Sequence, residues 1–256
     1  MDKRKIVFIT GTTAGFGKAI AEKFASQKTD CIITGRRAEK LKDIANNLTS
    51  TYGVKILPLV FDVRNREAVF EAVKNLPPEW QDIDVLVNNA GLALGRESFD
   101  TASMEDWDVM LDTNVKGLLN VSRAVLPFMI KNKKGHIINI GSTAAKEVYP
   151  NGNMYCATKH AVEAISKAQR IDLLPHHIKV TALHPGAAET EFSIVRFKGD
   201  EEKAKSIYDG YEPLHPEDIA EVCYYCTTLP PHVCINDLVV TCTAQANSYL
   251  IEKDNR

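Results

Sequence analysis

No apolar run in this 256-residue chain approaches the ~18 residues that a membrane-crossing helix needs. The first apolar stretch, Ile6 to Thr10, stops at Gly11; it is too short for the core of a secretion signal and reads as a buried strand. Neither sign of charge dominates: 31 Lys and Arg face 33 Asp and Glu, a net charge of −2. That balance gives no electrostatic footprint for nucleic acid or for an anionic membrane. Internal repeats, low-complexity tracts and Pro- or Ser-rich linkers are also missing. The six cysteines (Cys31, Cys156, Cys223, Cys226, Cys234, Cys242) are scattered, the pattern of reduced thiols in a cytoplasmic protein rather than of a disulfide framework. Cys223 and Cys226 have redox or zinc spacing but no second Cys or His pair beside them, so their expected role is helix packing. The histidines show no ligand spacing, and no metal is expected.

What is present is ordinary for a globule: 45% hydrophobic and 25% charged residues. A compact fold of this length buries roughly 70–75% of the surface its unfolded chain exposes. Short apolar runs alternate with amphipathic stretches. Strands are expected at Ile6–Thr10, Cys31–Thr34, Ile56–Phe61, Val85–Val87, His136–Ile140, Val180–Leu183 and Leu238–Cys242. Helices are expected at Phe16–Gln27, Ala38–Leu48, Arg66–Asn75, Ser103–Lys131, Met154–Leu174 and Pro216–Cys226. The strands are apolar on both faces, as when helices cover both sides of a parallel sheet. The expected fold is α/β, a doubly wound parallel sheet of about seven strands in one domain over residues 1–256. Ligands in such sheets sit beyond the carboxyl ends of the strands.

The residues after the first strand fit that rule. Gly11-Thr-Thr-Ala-Gly15-Phe-Gly17 closes the strand and opens a helix, making the fold Rossmann-type. Gly11 permits a tight turn, Gly15 lets backbone approach a pyrophosphate, and Gly17 lets helix and strand pack closely. The helix amino end offers free N–H groups to the phosphate. After the second strand come Arg36 and Arg37, with no acid before Glu39. An acid there would bond a ribose 2′-hydroxyl, whereas arginine accommodates a 2′-phosphate. The expected cofactor is therefore NADP(H), gripped by Arg36, Arg37 or both.

Tyr155 and Lys159 lie four apart on one helix, so phenol and ammonium can enter one site. Ser142 follows the fifth strand, and Asn88-Asn-Ala-Gly91 follows the fourth. Thr10-Gly-x-x-x-Gly-x-Gly17, Asp62-Val63, Asn88-Asn-Ala-Gly91, Asn114, Ser142, Tyr155-x-x-x-Lys159 and Pro185-Gly186, in this order, resemble the short-chain dehydrogenase/reductase family over essentially the whole chain.

The resemblance implies a role for each position. Tyr155 would be the proton donor in carbonyl reduction and the base in oxidation. Lys159 would hold the nicotinamide ribose and lower the Tyr155 pKa, Ser142 would orient the substrate oxygen, and Asn114 would keep a relay water. Gly11, Thr13, Gly15, Phe16, Gly17, Val63, Ala90, Pro185 and Gly186 would line the cofactor. Asp62 would meet the adenine edge, Asn89 and Gly91 the adenosine side, and Thr190 the nicotinamide carboxamide. A free tyrosine titrates near 10, so acting as a base near pH 7–8 asks for a drop of ~2–3 pH units, about 3–4 kcal/mol.

The stretch Ala187–Tyr211 is polar and irregular, and reads as a substrate lid at about 187–211. Together with Gly91-Leu-Ala-Leu-Gly95 and Ile140-Gly-Ser142, its run from Thr190 to Asp200 resembles the NADP-dependent 3-hydroxy acid dehydrogenases, which take small acids such as serine, allo-threonine, 3-hydroxypropionate and malonic semialdehyde. A small acid in a dry pocket needs a fixed cation. Arg196 is the candidate, with Arg96 and Lys146 as rivals; Ser142 and Tyr155 would meet the reacting oxygen. Two other readings are a reductase of a 3-oxoacyl thioester, sugar or ketone, and a non-catalytic NADP(H)-binding regulator. The resemblance also implies a homotetramer built on the two long helices, with Val115, Leu118, Leu119, Val125, Ala161, Ala164, Ile165 and Ala168 supplying apolar surface.

Overall fold

The structure is a computed structural model and describes residues 4–254, so the outermost ends of the expected domain lie outside the described residues. Seven strands form one parallel sheet in the order β3-β2-β1-β4-β5-β6-β7. They are β1 (Ile6–Ile9), β2 (Asp30–Gly35), β3 (Ile56–Val60), β4 (Val85–Asn88), β5 (Gly135–Ile140), β6 (Ile178–Pro185) and β7 (Asp237–Val240). The helices are α1 (Gly15–Ser26), α2 (Ala38–Tyr52), α3 (Arg66–Lys74), α4 (Met104–Leu111), α5 (Leu118–Asn132), α6 (Asn153–Asp172), α7 (Glu191–Arg196), α8 (Glu201–Ser206) and α9 (Pro216–Thr228).

The doubly apolar strands have a direct cause. Alternate residues of β1 feed opposite cores: Val7 and Ile9 pack on the α1, α2 and α9 side, and Ile6 and Phe8 on the α3 and α5 side. Full burial of a side chain such as Phe8 contributes roughly 1.5–3 kcal/mol. Cys223 and Cys226 belong to the first of these cores. All six cysteines are free thiols. Burial pushes the Cys223 thiol up and that of Cys226 to about 11, which makes both poor nucleophiles.

The stretch read as one helical region from Ser103 to Lys131 is interrupted. Asp112–Gly117 forms a π-helical turn between α4 and α5. A side chain on Gly117 would strike Val63, so the close approach of this turn to the end of β3 requires glycine. The stretch expected to form a lid is more ordered than its polar composition suggests, with α7 and α8 inside it. Thr190 Oγ1 accepts from the Phe192 amide at 3.1 Å and Asp200 Oδ1 from the Lys203 amide at 3.0 Å, capping α7 and α8. The apolar surplus expected on the long helices is smaller than anticipated. Leu118 and Val125 are buried within the subunit, whereas Leu119, Ala164 and Ala168 are exposed.

Candidate active site

A cavity of about 720 Å³ follows the carboxyl ends of the strands. The chain enters it first at the glycine loop. Gly11 and Gly15 have φ of +70° and +50°, the left-handed region that glycine adopts without strain. Helix α1 starts at Gly15 with no side-chain cap and no acid in its first turn, so its amide groups are left for an anion. Gly17 does not line the cavity. It lies behind it, where an added side chain would strike the Gly11 carbonyl oxygen.

Arg36 and Arg37 reach the same cavity from the end of β2. Arg37 donates from Nε and Nη2 to Thr13 Oγ1 at 3.0 and 2.8 Å, and from Nη1 to Glu191 Oε2 at 2.9 Å. Arg36 stands 3.8 Å from Asp62. Asp62 is gripped by Arg64, a residue the sequence reading missed, at 2.6 Å. Against the upward pull of partial burial, the Arg64 hydrogen bonds hold the Asp62 carboxyl below its usual range. Asn89 Nδ2 donates to the Thr10 carbonyl at 2.8 Å, clamping β4 to β1 beside Ala90 and Gly91.

Ser142, Tyr155 and Lys159 come together on the far side, with Pro185, Gly186 and Thr190 along the edge. Lys159 Nζ donates to the Ile140 carbonyl at 2.9 Å, and burial lowers its pKa to about 8. Its ammonium is 5.8 Å from the centre of the Tyr155 ring. Burial, followed by the facing Tyr149, pushes the Tyr155 phenol up, and the hydrogen bond of Ser142 and the Arg196 charge only partly oppose this. The protein alone therefore keeps Tyr155 neutral; a buried phenolate would lose its hydration, and the Arg196 charge offsets only part of that loss.

Asn114 does not line the cavity. It sits behind it in the π turn, accepting from the Leu92 amide at 2.8 Å and donating to the Leu92 carbonyl at 2.8 Å and to Thr158 at 3.1 Å. π turns concentrate at functional sites. Thr190 lines the cavity and faces Gly15, but Glu189 is exposed outside it.

Arg196 lines the cavity, its guanidinium 5.7 Å from the ring centres of both Tyr149 and Tyr155. Arg96 also lines the cavity. Lys146 does not: it pairs with Glu163 at 2.6 Å and with Asp237. There Glu163, His184 and Asp237 bring potential ligand atoms within 4.8 Å of one another, a convergence no sequence spacing revealed, with the Lys146 ammonium paired to both carboxylates. Other lining residues escaped the sequence reading: Tyr149, Phe192, Tyr208, Tyr211 and the tail residues Gln245, Ser248 and Tyr249. The tail is brought in by tertiary hydrogen bonds, such as Ala187 N to Gln245 Oε1 at 2.7 Å.

A parallel sheet with a phosphate-ready glycine loop and a Ser-Tyr-Lys cluster at its carboxyl edge defines a dinucleotide-dependent oxidoreductase. Residues 5–201 match the family described as short chain dehydrogenase, and the chain belongs to that family. The NADP-dependent 3-hydroxy acid dehydrogenase of Salmonella typhi is 51% identical over 232 residues, covering 90% of this chain and 92% of that protein. Sulfoacetaldehyde reductase 2 of Chromohalobacter salexigens is 41% identical over 251 residues, 97% of this chain and 99% of that one. A closed form of serine dehydrogenase complexed with NADP+ superposes with a TM-score of 0.91 at 47% identity, covering 98% of this chain and 100% of that one.

Proposed function

We propose that this chain is an NADP(H)-dependent dehydrogenase of small 3-hydroxy acids, of the serine, allo-threonine and 3-hydroxypropionate kind. The observation that carries the reading is the position of Arg196, a fixed cation 5.7 Å from the Tyr155 ring in a shared cavity. A fixed cation beside the tyrosine suits a substrate that carries a carboxylate close to its reacting hydroxyl or carbonyl. The 3-hydroxy acid dehydrogenase and the serine dehydrogenase named above support the same class.

The cavity fits the cofactor. The uncapped start of α1 receives a pyrophosphate, and Arg37, with Arg36 beside it, receives a 2′-phosphate. Phe16, Asp62, Val63, Asn89, Ala90 and Gly91 line the adenosine side, and Pro185, Gly186 and Thr190 the nicotinamide side. When bound, the cofactor supplies or accepts the hydride.

The chain's residues do the rest. Arg196 holds the substrate carboxylate and so orients the carbinol carbon. Ser142 and Tyr155 meet its oxygen, and Tyr155 hands over its proton in reduction and takes one in oxidation. Lys159 holds a ribose and biases Tyr155 electrostatically. Asn114 fixes Leu92 and the turn behind the site, where a relay water would sit. The apolar rings of Tyr149 and Phe192 exclude bulk water and strengthen each of these polar contacts.

The same reading includes a cytoplasmic homotetramer. Free thiols support the compartment, and exposed Leu119 and Ile171, on or near the long helices, support subunit contacts. Light scattering that gave a stable monomer would remove the tetramer.

The decisive assay follows absorbance at 340 nm with NADP+ or NAD+ and 3-hydroxypropionate, L-serine or L-allo-threonine. NADP+-dependent turnover is expected, with Arg196→Ala raising KM at least ~10-fold through loss of a charge-assisted contact. Turnover of neutral ketones alone, unchanged by Arg196→Ala, would overturn the substrate class.

A further inference from the structure

Beyond Arg196 lies a second cavity of about 370 Å³, which shares Arg96, Arg196 and Ile207 with the first. Its walls carry four cations, Arg96, Arg196, Lys198 and Lys203, against one carboxylate, Glu97. Lys198 is matched by Asp106 at 2.8 Å. Among the described residues, neither Arg96 nor Lys203 forms an ion pair with a carboxylate. Cations therefore outnumber carboxylates along the chamber walls, with Glu97, Asp106 and Glu105 all gathered near Lys198. Converging like charges raise the potential in a concavity, and an anion entering it relieves them.

The wall between the two cavities is built rather than incidental. The Gly95 amide donates to the Arg196 carbonyl at 3.0 Å, and Arg196 Nε donates back to the Gly95 carbonyl at 3.3 Å. This reciprocal pair fastens the loop after β4 to the end of α7. It holds Arg196 where it faces Tyr155 on one side and the cationic chamber on the other.

We infer that this chamber is an anion subsite for the substrate. Resting on the hydroxy-acid reading above, this extends the class to 3-hydroxy acids that carry a second anionic group on C2. The first carboxylate would lie against Arg196, and the branch would run along Arg96, which lines both cavities, toward Lys203. A plain 3-hydroxy acid leaves the chamber to water and is turned over without it.

The test compares two branched substrates of similar size, 2-(hydroxymethyl)succinate and its neutral-branched counterpart 2-(hydroxymethyl)butanoate, with 3-hydroxypropionate as the basal substrate. The dianion is expected to exceed the neutral-branched acid about fivefold in kcat/KM at low salt, because exposed charges act weakly and are screened. Lys203→Ala should erase most of that preference and Lys203→Glu should reverse it, both leaving 3-hydroxypropionate unchanged. Lys203 is exposed on a short surface helix, so neither variant threatens folding. Equal kcat/KM for the two branched acids, or a preference indifferent to Lys203→Glu, would overturn the subsite while 3-hydroxypropionate turnover preserved the hydroxy-acid reading. Failure of all three acids would remove both.

Discussion

Arg37 Nη1 donates to Glu191 Oε2 at 2.9 Å, while its Nε and Nη2 rest on Thr13 Oγ1. One guanidinium thus joins the end of β2, the glycine loop and the first turn of α7. Lys40 approaches the same carboxylate at 3.7 Å.

Arg37→Ala should weaken NADPH binding by roughly 10–100-fold, the loss expected for a charge-assisted hydrogen bond, and leave NADH binding nearly unchanged. Glu191→Gln frees the guanidinium from a competing anion. It should tighten NADPH binding by up to ~5-fold, since the pair is exposed. Fluorescence titration of the reduced cofactors reads both effects without turnover. Unaltered NADPH affinity in Arg37→Ala would transfer the 2′-phosphate to Arg36.

Burial holds Tyr155 in its neutral, proton-donating form, its pKa above the ordinary value. Reduction should therefore proceed at a rate nearly flat from pH 6 to 8, while oxidation rises with pH because it needs the deprotonated phenol. Tyr155→Phe should cost about 10²–10⁴-fold in kcat, the usual contribution of general acid–base catalysis, and retain NADPH binding. Ultraviolet titration compared between the native chain and Tyr155→Phe locates the phenol directly. A Tyr155 signal below pH 10 without cofactor would contradict the buried, neutral assignment.

His136 carries a pH-dependent share of the stability. It is buried in β5, 2.7 Å from Thr181 Oγ1, and burial, then the charge of Lys179, lowers its pKa to about 3. The folded state then binds fewer protons than the unfolded chain between that value and the ordinary 6.5. Stability is complete above pH 6.5 and falls as pH drops toward 3, by up to about 1.4 kcal/mol per pH unit from this residue. Denaturant unfolding at pH 7 and pH 5 measures the slope, and His136→Gln should flatten it. A slope identical in the variant would assign it to other groups.

Reading by periodicity and turn chemistry recovered the sheet because each strand's apolar run and each glycine act locally. The residues after the strands, from Gly11 through Ser142 to Gly186, were legible for the same reason: the fold delivers strand ends to one edge. The π turn at Asp112–Gly117 was not legible, since its hydrogen bonds depend on Asn114 meeting Leu92 and Thr158 across the fold. Nor were Leu118 and Val125, apolar residues whose inward direction depends on how that turn rotates α5.

The sequence by itself determined the strand–helix alternation, the phosphate loop and the Ser142, Tyr155 and Lys159 set, because these follow from side-chain pattern over a few neighbouring positions. Only the tertiary structure separated the candidate cations from one another. Arg96, Lys146 and Arg196 look alike in a string of letters. Lys146 is committed to Glu163 and Asp237 away from the cavity, whereas Arg96 and Arg196 both line it, and Arg196 is held 5.7 Å from the centre of the Tyr155 ring. Those assignments depend on ion pairs and packing between residues up to a hundred positions apart, distances at which chain order carries no information about proximity.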